Sequence, residues 1–175
     1  DFEGIPIPNL DGLESLKDIE PKLMLVPTDG FTKSSQSYNT ARWRGYKSAD
    51  RKHIIVSLEQ IGFDKTKTIP VVIELYGGKT FRKINGWTRI SIYGPDGYKL
   101  DFVLCWTLPY HISDVDESIL AGRLNPGTIP STPISRKDII VMATEKIVEG
   151  KLDKDENSIG NFVEQICAPP DNVNV

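Results

Sequence analysis

The most specific chemical spacing in the sequence runs from Asp153 to Glu164. Asp153, Asp155, Asn157, Asn161 and Glu164 fall at positions 1, 3, 5, 9 and 12 of that stretch. Oxygen ligands at this spacing close round calcium in an EF-hand loop. Ser158 stands where such a loop needs glycine, and Gly160 where an apolar residue pairs with a second loop. Asp153, Asp155, Asn157 and Glu164 are therefore the candidate metal ligands, and calcium is the one cofactor that the sequence raises. The alternative is a solvated loop leading into a helix. Asp114, Asp116 and Glu117 form another carboxylate group, although acidic residues gather at the positive end of a helix with or without a metal. Cys105 and His111 could in principle form a nucleophilic pair. Pro109 lies between them, their spacing fixes no geometry, and Cys105 sits in the apolar run Phe102–Trp106 as a core thiol would. Gly77-Gly78-Lys79-Thr80 resembles the end of a phosphate loop but lacks the upstream glycine and precedes a strand. None of this makes a catalytic set, so the reading leans away from an enzyme.

The cations are the stronger lead. Lys33, Arg42, Arg44, Lys47, Arg51 and Lys52 interleave with Trp43 and Tyr46, and Arg82, Lys83 and Arg89 follow. Cations neutralise phosphates and aromatic rings stack on bases, so these residues form a candidate site for nucleic acid or another anion. The charge is segregated along the chain. Residues 1–30 carry a net −5, residues 31–99 a net +8 and residues 100–175 a net −6. Such asymmetry suits an anionic partner, an anionic membrane surface, or contact between copies. It equally suits acidic ends folded over a basic centre.

Positioning these groups falls to strands first and helices later. Residues 1–10 alternate proline with apolar residues and read as an extended arm. Leu13, Leu16 and Ile19 make one stripe of a short helix over 11–19. Lys22–Val26 reads as a strand ended by Pro27, residues 31–52 as a long surface loop, and His53–Ile61 as a strand. Residues 69–108 read as an antiparallel meander: Ile69–Tyr76, a turn at Gly77-Gly78, Lys79–Ile84, a type I′ turn at Asn85-Gly86, Trp87–Tyr93, a turn at Gly94–Gly97, then Tyr98–Leu108. The Asn-Gly register sets Arg82 opposite Arg89, and like charges so placed call for an acidic partner. Helices are expected over 114–122, from a cap at Ser135 to Gly150, and over about 158–167, with a Pro/Gly linker at 123–134.

The expected fold class is α+β: an antiparallel meander over about 69–108, C-terminal helices packed on it, and an extended N-terminal arm. The expected organisation is arm and short helix over 1–21, one globular domain over 22–167, and a flexible tail over 168–175. The chain has 175 residues and two cysteines, too few for a disulfide framework, which suits a reducing interior. Nothing resembling a signal peptide opens it, and no apolar run is long enough to span a bilayer. The expected location is intracellular and cytoplasmic, or a virion if the protein is viral.

The composition suggests a non-enzymatic assembly protein, of viral matrix or coat type, that self-associates through its arm and meets nucleic acid, RNA included, or an anionic membrane. One alternative is a monomeric regulatory module for nucleic acid or protein. Another is a metal-dependent protein built on the carboxylates.

Overall fold

The computed structural model describes residues 5–31, 69–75, 78–85, 101–109, 111–124 and 136–172. The elements are β1 (Ile7–Pro8), β2 (Lys22–Pro27), β3 (Val71–Leu75), β4 (Thr80–Lys83), β5 (Phe102–Leu108), α1 (Asp114–Arg123), α2 (Arg136–Val148), α3 (Glu156–Ile166) and β6 (Asp171–Asn172). The class is α+β, with strands first and helices after.

The sheet corrects the expected meander. Its order is β2–β5–β3–β4. β3 and β4 form the antiparallel hairpin that the sequence indicates, with Val72 opposite Lys83 and Leu75 opposite Thr80, and Gly78 takes a positive φ of 79° at its turn. β5 then crosses to the far side of β3 and pairs with it in parallel, Val71 opposite Trp106 and Ile73 opposite Leu108. Its other side pairs antiparallel with β2, Lys22 opposite Thr107 through Pro27 opposite Phe102. The sheet is mixed, and β5 is its centre rather than the end of a meander. The reason is apolar content: every residue from Val103 to Leu108 is buried, and a strand covered on both faces belongs inside a sheet. The proposed strands His53–Ile61 and Trp87–Tyr93, the loop from 32 and the linker from 125 lie outside the described residues.

Two apolar clusters sit on opposite faces of the sheet. One joins Val71, Ile73, Leu104, Trp106 and Leu108 to the arm (Ile5, Leu13, Leu16) and the helices (Ile119, Leu120, Met142, Phe162, Ile166). The other gathers Val26, Val72, Phe81, Val103 and Cys105, with Met24 and Phe31 packed against it. Phe31, just beyond β2, makes a parallel bridge to Phe81 of β4, so the sheet curls round this second cluster. Gly30 permits the approach, since a Cβ there would stand 3.1 Å from the Lys79 carbonyl oxygen.

The arm is committed to its own domain. Leu13 and Leu16 are buried as the stripe requires, although only Glu14–Leu16 winds, as a 3-10 turn. Trp106 Nε1 donates to the Pro6 carbonyl at 2.9 Å. Residues 168–172, expected as part of a loose tail, are held as well. β6 pairs antiparallel with β1, and Asn9 donates from its backbone to the Pro170 carbonyl at 3.0 Å and from Nδ2 to the Pro169 carbonyl at 2.8 Å.

Candidate functional site

Arg82 and Lys83 are the described members of the cationic set; Lys33, Arg42, Trp43, Arg44, Tyr46, Lys47, Arg51, Lys52 and Arg89 lie outside the described residues. The sequence called for an acidic partner at Arg82, and the chain supplies it. Arg82 on β4 faces the helices, and its Nη2 donates to Glu117 Oε2 at 2.9 Å. Glu117 is 0% exposed, and its Oε1 has no hydrogen-bond partner among the described residues. Burial pushes its carboxyl up to about 7; Arg82 opposes the shift, Asp114 adds to it, and Lys146 opposes it. Lys83 points to the other face, 5.9 Å over the Phe31 ring, where burial lowers its ammonium pKa. The basic centre and the acidic C-terminal segment thus compensate each other at this joint.

The other carboxylates of α1 are also engaged. Ser113 caps the helix, accepting from the Asp116 amide at 3.2 Å. Asp116 Oδ2 accepts from the Ser15 amide at 2.9 Å and from the Ser15 hydroxyl, and Ser15 Oγ accepts from the Ser113 amide at 3.0 Å. Asp114 pairs with Lys151. Asp116 ties the arm to the helix and Glu117 ties the sheet to it, so these carboxylates diverge.

The calcium candidates are not brought together. Residues 156–166 form the continuous helix α3, which an EF-hand loop cannot be. Asp155 caps it, accepting from the Ser158 amide at 2.8 Å and the Ser158 hydroxyl at 2.7 Å. Asn157 and Glu164 stand roughly 10 Å apart along the helix axis, and Asp153 precedes the cap. Among the described residues no group of three or more His, Cys, Asp or Glu is placed to hold a metal. The Cys105–His111 pair does not form either. Cys105 is buried in the second cluster, where burial pushes its thiol up to about 12, while His111 is exposed.

Two features escaped the sequence. Arg123, the first residue of the expected linker, instead ends α1 at 1% exposure. It donates from Nε to the Gln165 carbonyl at 2.9 Å, from Nη1 to the Asn9 carbonyl at 2.7 Å and from Nη2 to Gln165 Oε1 at 3.0 Å. A charged side chain after five apolar or small residues of a helix, Ser118 to Gly122, is the only sequence signal for it. The second is an apolar edge. Leu25 is 63% exposed and Phe102 is 54% exposed. They lie on the helix-bearing face of the neighbouring strands β2 and β5.

No protein-family model matches the chain, and no curated protein matches it. Among solved structures it is similar to sulfiredoxin from Arabidopsis thaliana, with 20% sequence identity and a TM-score of 0.38, over 51% of this chain and 86% of that one. A likeness at this level has no bearing on function. No helix of the described residues is long and apolar enough to cross a membrane.

Proposed function

We propose that this protein is a non-enzymatic assembly protein of matrix or coat type, which associates with itself and holds nucleic acid on its basic central segment. The observation that carries the reading is charge segregation: a net +8 over residues 31–99 between acidic flanks of −5 and −6. The Arg82–Glu117 pair refines it. Arg82 is turned inward, so anion contact passes to Lys33, Arg42, Arg44, Lys47, Arg51 and Lys52, with Trp43 and Tyr46 as stacking platforms.

Nucleic-acid binding measured across a salt series tests this. Each neutralised phosphate adds about 0.7–0.9 to the slope of log affinity against log salt. Replacing Arg42, Arg44 and Lys47 with glutamine should flatten that slope by about 2–3. An unchanged slope removes the site assignment. Binding to anionic vesicles but not to nucleic acid replaces nucleic acid with a membrane surface.

A further inference from the structure

We infer that the self-association in the proposed function runs through β2, which pairs antiparallel with β2 of a second copy across a two-fold axis at Met24.

The backbone defines the occupant. The Thr28 amide donates to the Asp101 carbonyl at 3.0 Å, so Thr28 and Asp101 are a hydrogen-bonded pair. Hydrogen-bonded and open pairs alternate along an antiparallel ladder. Val26, Met24 and Lys22 therefore bond to β5, while the amides and carbonyls of Leu23 and Leu25 point away from it. The Trp106 amide confirms the phase: opposite Leu23, it turns from β2 to donate to the Pro70 carbonyl at 2.9 Å. Among the described residues β2 has a strand neighbour on one side only. Its outer side offers two amides and two carbonyls in extended geometry, which an added strand satisfies.

The side chains favour a second copy. β2 carries one charge, Lys22, at its first position. Parallel pairing would set Lys22 beside Lys22, which costs stability. Antiparallel pairing about Met24 sets each Lys22 opposite Val26 of the other copy. In that register Leu23 of each copy meets Leu25 of the other, and both exchange both hydrogen bonds. A register centred on Leu25 would instead aim each Leu23 carbonyl at Pro27, which has no amide. Leu25, 63% exposed, is covered by the preferred pairing. A six-residue strand makes a small interface, so the dimer is reversible and depends on concentration.

The test uses the full chain in sedimentation equilibrium over a concentration series. The wild type should dimerise reversibly. Leu25→Lys, at an exposed position, should leave the thermal melt unchanged and raise the dimer dissociation constant about tenfold or more. Register is read by oxidation in a Cys105→Ala, Cys167→Ser background, because Cys167 is exposed and Cys105 stands opposite Met24 in the β2–β5 ladder, within disulfide reach of a cysteine there. Met24→Cys should cross-link, since its Cα atoms would lie about 4.5 Å apart, within disulfide reach. Lys22→Cys should not, its two copies standing about 14 Å apart along the strands. Self-association that persists in Leu25→Lys without a Met24→Cys cross-link overturns this surface and leaves the assembly reading standing. A monomer at every concentration overturns both. A monomer whose β2 captures an added peptide overturns the second copy as occupant.

Discussion

Glu117 meets Arg82 where water is excluded, and its protonation is coupled to folding. Its folded pKa of about 7 lies above the ordinary 4.5. Below the lower value both states hold the proton, and above the upper value neither does. Between them only the folded chain holds it, so stability falls as pH rises through that window, by up to about 1.4 kcal/mol per unit. Urea unfolding at pH 5 and pH 7.5 should show this fall, and Glu117→Gln should remove most of it. Equal slopes in both proteins would mean that the carboxyl is not coupled to folding. Arg123 makes the opposite case, a charge held by neutral oxygens. Arg123→Ala strands the Asn9 and Gln165 carbonyls and should cost about 3 kcal/mol or more in the same assay. Neither role could be read from local sequence. The partners of Arg123 lie 114 and 42 residues away, and before Asn-Pro-Gly an arginine looks like the start of a linker. The need of Arg82 for an acid was legible, because the Asn85-Gly86 register sets it opposite Arg89. Which acid answered it depended on the packing of α1.

At the scale of elements, type was easier to read than neighbour. Lys22–Pro27, the β3–β4 hairpin and all three described helices were visible in apolar period and caps. The place of β5 was not. Its run Phe102–Leu108 reads equally as the end of a meander or as a central strand, and only tertiary cover separates the two. The carboxylates of 153–164 show the same limit: their spacing fits a calcium loop, but the apolar stripe of Ile159, Phe162 and Ile166 draws the segment into a helix. Trp106 supplies a test of how the arm is held. Trp106→Phe keeps the ring and removes the donor to Pro6, a loss of about 0.5–1.5 kcal/mol. Limited proteolysis should then cut within residues 5–10 faster than in the wild type, while the rest of the domain keeps its resistance. Equal cutting would show that the apolar contacts of Ile5, Leu13 and Leu16 hold the arm alone.

At the scale of the molecule, the stretches 32–68 and 86–100 carry ten of the thirteen lysines and arginines of the basic segment 31–99, whereas the described frame of sheet and helices is held by two apolar clusters. That arrangement lets the frame stay unchanged while salt weakens contact with an anion. Far-UV circular dichroism should therefore stay constant between 50 and 500 mM salt while nucleic-acid affinity falls steeply. Loss of secondary structure over that range would mean instead that the acidic ends and the basic centre hold the fold together.

The pairing of β1 with β6 also imposes an order in time. Asn9 and Pro169 are 160 positions apart, so a chain emerging from a ribosome makes β1 long before β6 exists. Ile5, Leu13 and Leu16 belong to the main cluster and must wait partly uncovered until the last helix and the residues after it arrive. Among the described residues no strand pair closes a longer loop, and closure entropy grows with loop length. In pulse-labelled refolding the Asn9 amide should gain protection after the Trp106 amide, making the clasp the last part of the structure to form.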